Sequence, residues 1–265
     1  MHDAYFSYWS AGYRKVPEYK YLLMQKVAHH FARKYFNNVH LVTDSKSLPY
    51  LKNMEWASVS TELDSLDTAL GGIWSLGKIY AYKKAAEAGK PFIHIDYDVI
   101  LWNGIPHKIS NSEVFVQNEE SYSYEIYEID KFIKHCPNSG PIPLIKQKAA
   151  VNMGIFGGTN LKFIHDYCAK AIEIAEDKNN YNFWTTFTEF NATWSMATIV
   201  EQYLLTTMSI INSQKITYLF DSGWPSSEEG KECGYSHFMG DKNHKNFIPR
   251  LQQIAKDNCI NIDTL

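Results

Sequence analysis

The sequence predicts an α/β domain built on a mainly parallel sheet with helices packed on it, and three observations carry that prediction. A strand, a helix and a strand follow one another at the start of the chain, which is the unit of a parallel sheet with right-handed crossovers. Phe92 to Trp102, FIHIDYDVILW, runs an apolar strand into two carboxylates separated by one residue. Ligands of open α/β sheets sit beyond the carboxyl ends of the strands, so Asp96 and Asp98 fall where a bound group belongs. The 265 residues suffice for one large domain with a substantial core.

In order, Tyr5 to Ser10 reads as a first strand and Ala11 to Lys15 as a polar loop. Pro17 suits a helix first turn, and Leu23, Val27, Phe31 and Tyr35 recur at i, i+4, so Pro17 to Phe36 is expected to be an amphipathic helix. Val39 to Thr43 is the second strand, closed by Asp44 and Ser45, and a short strand is expected near Trp56 to Val59. Gly72 to Ala88 is the next helix, with Gly89 as its C-cap and Pro91 preventing continuation. After the central strand and its acids come a strand at Val114 to Gln117 and an irregular segment, Asn118 to Lys148, rich in Tyr and Pro. A loop that long inside a compact domain is usually functional. Ala150 to Phe156 is a strand, Leu161 to Glu176 a helix, and Phe183 to Trp194 an aromatic stretch without period. Thr198 to Met208 reads as a helix, Ile216 to Phe220 as the last strand, and Phe247 to Lys256 as a tail helix.

Composition narrows the function classes. Lys and Arg total 26 against 29 Asp and Glu, a net charge of -3, with no basic block of the kind that tracks a nucleic-acid backbone. Nucleic acid is therefore not an expected partner. Aromatics reach 15%, with 18 Tyr and 7 Trp, and flat rings are surfaces on which sugars stack as well as core filler. Cys136, Cys168, Cys233 and Cys259 form no CxxC pair, so a reducing compartment is the simpler reading. The N-terminus lacks a basic start and an apolar core segment, and no apolar run approaches the ~20 residues of a membrane span. The expectation is a cytoplasmic protein, with weak peripheral attachment at the inner face of a membrane left open.

Two acids this close are tolerated when a cation lies between them, and oxygen ligands favour Mg²⁺ or Mn²⁺ over zinc. Asp96, Tyr97 and Asp98 resemble the DxD motif of nucleotide-sugar glycosyltransferases of the GT-A fold, which implies a Rossmann-like, mixed and mainly parallel sheet. His237, Phe238, Met239 and Gly240, with Lys242 soon after, are similar to the C-terminal His-x-x-Gly-x-x-Lys signature of the retaining glycogenin and lipooligosaccharide galactosyltransferase type. The resemblance implies that His237 completes the metal site with Asp96 and Asp98, and that a lysine meets the diphosphate beside Gly240. Lys242 comes one residue early for the signature, so Lys242 and Lys245 are both candidates. Asn152 and Gly154 in VNMGIFGG resemble the Asn-x-Gly strand that lines the donor sugar or acceptor in such enzymes. Glu201 and Gln202 resemble their Asp-Gln helix start, with Glu in place of Asp. Gln202 would lie near the sugar in a retaining enzyme, and Glu201 would be the general base in an inverting one. Lys78, Trp9 and Asp44 occupy the places where these families meet the nucleotide.

The resemblance implies a single GT-A domain over 1–265, with a nucleotide-binding half at 1–103, an acceptor and metal-completing half at 104–246, and a tail at 247–265. It implies a UDP-sugar-dependent hexosyltransferase with a saccharide or glycolipid acceptor, surface-glycan synthesis being the natural setting, and acceptor choice in Asn118 to Lys148. Two other classes compete. FIHIDYDVIL also looks like the phosphate-transfer motif of haloacid dehalogenase phosphatases, but about ninety residues precede it here, and Gly240 and Asp241 are not followed by the second Asp that family's downstream motif expects. A degenerate GT-A domain that binds sugar or a partner without turnover is the other. Metal-dependent binding of a nucleoside diphosphate separates the three.

Overall fold

The computed structural model describes residues 2–186, 194–221 and 223–263, the side chains of 194 and 195 apart. Residues 187–193 of the aromatic stretch expected at Phe183 to Trp194 lie outside the described residues. Seven strands form one sheet: β1 (Asp3–Tyr8), β2 (Val39–Thr43), β3 (Ser58–Ser60), β4 (Phe92–Ile95), β6 (Phe115–Glu120), β7 (Ala150–Gly158) and β8 (Thr217–Phe220), in the order β3-β2-β1-β4-β7-β6-β8. β5 (Val99–Leu101) pairs antiparallel with β9 (Tyr235–His237) in a small second sheet. Only β7 runs against the rest of the large sheet, antiparallel to both β4 and β6. The result is the mixed, mainly parallel, Rossmann-like architecture expected of a GT-A fold.

The sheet is buried on both faces, which is why its strands read as apolar runs rather than as a clean alternation. Alternate residues still part company. Tyr5, Phe92 and Phe156 join the core under α2 (Leu76–Glu87), α3 (Leu161–Glu176) and α4 (Leu204–Ile211). Ala4, Phe6, Ile93 and Ile155 join the core under α1 (Tyr19–Tyr35) and α5 (Phe247–Asp257). Leu23, Val27 and Phe31 make the buried stripe of α1, while Tyr35 is exposed. Gly89 ends α2 with a φ of +74°, a conformation that glycine adopts without steric cost.

Several boundaries differ from expectation, each for a local reason. α2 starts at Leu76 rather than Gly72, because Thr68–Gly72 form a 3₁₀ turn capped by Asp67, whose carboxylate accepts from Ala69 N–H. Asn118 to Lys148 is not irregular throughout. β6 runs on to Glu120, and short helices at Ser123–Ile126 and Ile129–His135 bury Ile129 and Phe132. The expected last strand is followed by β9, a three-residue strand too short to read from its sequence. Thr198 to Met208 is helical but carries a π turn at Ile199–Tyr203. Among the described residues, no helix is long and apolar enough to cross a membrane.

One buried group on α1 sets a pH dependence. His29 packs edge-on to Trp56 at 4.3 Å, and its Nε2 has no hydrogen-bond partner. Burial pushes its pKa down to about 3, and Arg33, His30 and Lys26 add to that. A depressed histidine stabilises the fold fully above about pH 6.5, and that stability is lost as pH falls toward 3, because the unfolded chain takes up the proton first. Between pH 7 and pH 5 the wild type is expected to lose up to about 2 kcal/mol more than His29→Phe, read as the shift in urea midpoints at the two pH values. Equal losses in both chains would show that the imidazole protonates without unfolding.

Candidate metal and donor site

β4 ends at Ile95, and the chain turns through Asp96, Tyr97 and Asp98 into β5. The turn is pinned by Asp96 N–H donating to Gly154 O at 3.0 Å and by Val99 N–H donating to Asp96 O at 2.9 Å. β9 pairs His237 opposite Val99, and Phe238 N–H donates to Asp98 O at 2.9 Å. The small sheet is thus what delivers His237 to the acids. One ligand atom from each of Asp96, Asp98 and His237 lies within 4.8 Å of the others.

The ring orientation of His237 suits a metal ligand. Its Nδ1 lies 2.7 Å from Gln117 Oε1, which also accepts from the Tyr235 hydroxyl. An amide oxygen only accepts, so Nδ1 is the nitrogen that donates to Gln117, and Nε2, 3.5 Å from Asp98 Oδ1, is the one that faces the site and would ligate a cation. A neutral imidazole with two carboxylates is a donor set that Mn²⁺ or Mg²⁺ accepts, so the residues present fit the cation that the sequence implies.

Two lysines hold the acids. Lys78, nearly buried on α2, lies 3.0 Å from Asp96 and 2.8 Å from Glu201 Oε1, and donates to Met153 O at 3.3 Å. Lys242 donates to Asp98 Oδ2 at 2.8 Å, while Lys245 is exposed. Burial raises the Asp96 pKa to about 6, with Lys78 opposing and Asp98 and Glu201 adding to the rise. Burial also opposes ionisation of Asp98, but a protonated His237 in the metal-free site, together with Lys242, outweighs it and holds that carboxyl below its ordinary value.

These groups open on a cavity of about 410 Å³. Tyr13, Tyr21, Tyr97 and Trp74 give it aromatic walls, and Asn152 and Gln202 supply amides. Tyr97 stands between Tyr13 at 5.5 Å and Tyr21 at 5.4 Å, ring centroid to centroid. Asn152 donates to Glu120 Oε1 at 2.8 Å and accepts from Gly154 N–H at 3.0 Å. Turned so that its nitrogen donates, the Gln202 amide meets the Tyr127 hydroxyl at 3.0 Å and Glu120 Oε2 at 3.2 Å. Glu120 and Tyr127 come from the segment expected to choose the acceptor.

Of the residues singled out in the sequence, Asp96, Asp98, His237, Lys78, Lys242, Asn152 and Gln202 meet at this cavity. Four do not. Glu201 is fully buried behind Asp96, bonded to Lys78 and to the Tyr82 hydroxyl at 2.7 Å, so the expected place of its carboxylate at the reacting face is corrected. Both residues lie in the π turn, where Glu201 points into the core and its neighbour Gln202 lines the cavity. Trp9 is buried against Gly12 and Gly77, and Asp44 ties two loops by accepting from Ser10 and Ser47 N–H, so neither lines the cavity. Gly240 is exposed beyond it. The aromatic walls went unrecognised in the sequence because Tyr13 and Tyr21 belong to no motif. The GYR run just after the first strand was their one available signal.

Gly154 links strand and site. A Cβ there would stand 2.5 Å from Gln117 Oε1 and 2.7 Å from two atoms of the His237 ring. Gly154→Ala is therefore expected to displace His237 and weaken Mn²⁺ binding about tenfold or more, measured by the free-Mn²⁺ electron paramagnetic resonance signal. Unchanged affinity would mean that β7 yields instead of the ring.

No curated protein matches this sequence. Among solved structures, apo mouse xyloside xylosyltransferase 1 is similar with a TM-score of 0.38 and 9% identity, over 82% of this chain and 84% of that one. A protein-family model described as "Family of unknown function (DUF6734)" matches residues 7–259, and the chain belongs to that family.

Proposed function

We propose that this protein is a divalent-metal-dependent glycosyltransferase that moves a sugar from a nucleoside-diphosphate donor, UDP first among the candidates, to a saccharide or glycolipid hydroxyl. The observation that carries the reading is the convergence of Asp96, Asp98 and His237 on one point of a cavity that is also lined by three cationic side chains (Arg14, Lys78 and Lys242), two amides and an aromatic wall. The first half, 1–103, supplies the acids, Lys78 and the aromatics. The second half, 104–246, supplies His237, Lys242 and the amides, and α5 packs against α1.

Mn²⁺ or Mg²⁺ would be held by Asp96, Asp98 and His237 and would stabilise negative charge on the departing diphosphate. The chain's own residues do the rest. Lys242 supplies positive charge where the diphosphate leaves, and Gln117 keeps His237 in the tautomer that can ligate. Lys78 holds Asp96 in place from behind. Tyr13, Tyr21 and Trp74 offer flat faces to the donor, and Asn152 and Gln202, fixed by Glu120, present polar atoms to its sugar. The bond from the anomeric carbon to the phosphate oxygen breaks, one from that carbon to the acceptor oxygen forms, and the acceptor hydroxyl's proton passes to the departing diphosphate. A role in surface-glycan synthesis fits this chemistry, and so does a cytoplasmic setting, where nucleotide sugars are made.

Isothermal titration with UDP and with GDP, each with and without Mn²⁺, tests the reading. Binding of one nucleotide that requires the metal is expected. If neither binds with Mn²⁺ present, the donor site proposed here does not exist.

A further inference from the structure

A second cavity, of about 570 Å³, lies across β9 from the metal site. His237 lines both, and the chain beyond it alternates between them, with Asp241 on the second cavity and Lys242 on the first. The segment that completes the metal site is thus also the wall of another site.

The lining of this second cavity has a definite chemistry. Trp102 and Trp224 both face it. Trp102 is held rigidly, its Nε1 donating to Ser236 Oγ at 2.9 Å and its ring set edge-on to Phe31 at 4.7 Å. Trp224 is 54% exposed, so its indole is open to a ligand in the cavity. Asn103, Ser227 and Ser236 supply an amide and hydroxyls, and the single charges of Lys231 and Asp241 offset each other. An anion would find no excess of positive charge here, and a purely apolar ligand would leave the hydroxyls and amide dry. A neutral saccharide satisfies both: the C–H face of a pyranose packs on an indole, and its hydroxyls bond to the amide and hydroxyl groups around it. The volume lies within the roughly 300–1,000 Å³ of small-ligand sites.

We infer that the Trp102–Trp224 cavity is a neutral-saccharide subsite, separate from the donor cavity and sharing His237 as their common wall. That its occupant is the part of the acceptor remote from the reacting hydroxyl rests on the glycosyltransferase reading. That it binds a saccharide does not.

Native-gel affinity electrophoresis in dextran, laminarin, galactomannan and arabinoxylan tests it on the full chain, with Trp224→Ala, Trp224→Tyr and Asp98→Ala beside the wild type. The wild type is expected to be retarded in at least one gel, with affinity about fivefold or more weaker in Trp224→Ala, largely kept in Trp224→Tyr and unchanged in Asp98→Ala. Because Trp224 is exposed, its substitution leaves the core intact, and unaltered thermal unfolding checks that. Retardation in none of the gels, or equal retardation of Trp224→Ala, overturns the inference. Nucleotide titration of the same samples separates the two readings. Saccharide binding without metal-dependent nucleotide binding would leave this subsite standing and remove the transferase, and the reverse result would remove the subsite alone.

Discussion

Asp98→Ala is expected to abolish metal-dependent binding of the nucleoside diphosphate while the protein stays folded. Asp98 is one of only two carboxylates in the cluster, and it is the one whose pKa is held low, so at neutral pH it brings a full charge to the cation. Loss of a ligand should exceed the 10–100-fold that outer-shell partners are worth, so Mn²⁺ affinity should fall more than about 100-fold. The cost to the fold is small, because Lys242, a quarter exposed, can turn its ammonium to water and the repulsion from Asp96 disappears. A change within about 1 kcal/mol is expected from urea unfolding of the metal-free proteins. Calorimetric titration with UDP and Mn²⁺ decides the matter, and wild-type affinity in the variant would rule out Asp98 as a ligand.

Lys78→Met should do the opposite and damage the fold first. Burial works against the Lys78 charge, but Asp96 and Glu201 outweigh it and keep the ammonium ionised. Without the cation, Glu201 is a carboxylate with 0% exposure whose Oε1 retains the Tyr82 hydroxyl and whose Oε2 has no partner among the described residues. Breaking a buried pair from one side typically costs about 3–5 kcal/mol, since the remaining charge can be neither hydrated nor matched. The double variant Lys78→Met, Glu201→Leu should recover most of that, with a coupling of at least about 2 kcal/mol in the four-member cycle. A single-variant cost below about 1 kcal/mol, or no recovery in the double, would mean that Glu201 is satisfied some other way. The cycle also bears on mechanism: a Glu201 that serves only to hold Lys78 is a positioning residue, and Gln202 is left as its neighbour on the cavity.

The legibility of this site in the sequence follows from what each residue does. Asp96 and Asp98 stand out because a strand end forces them into a turn, and His237 because its spacing to Gly240 matches a known signature. Asn152 and Gln202 are visible for the same reason. Direction within a sheet leaves no mark in a buried strand, so the reversal of β7 was not readable from Ala150 to Gly158. Nor was the π turn, since one added residue per turn costs no change of residue type. Within it, Glu201 is core and Gln202 is cavity. Trp9 was misplaced because an aromatic at a strand end packs inward as readily as outward. Tyr13, Tyr21, Gln117 and Glu120 act through tertiary position, for which local pattern carries no signal.

The pairing of β5 with β9 has a consequence for the order in which the protein is made. Asp98 and Lys242 are 144 residues apart in the chain. The loop between them can close only after nearly all of it has been synthesised, and its closure carries the entropy of a long-range contact. A nascent or prematurely terminated chain can therefore form β1 to β4 and display both acids, yet hold no third ligand. On the proposed reading, a chain that stops short of β9 would lack the group that completes the cluster, so the site forms only once the chain has been made through Lys242.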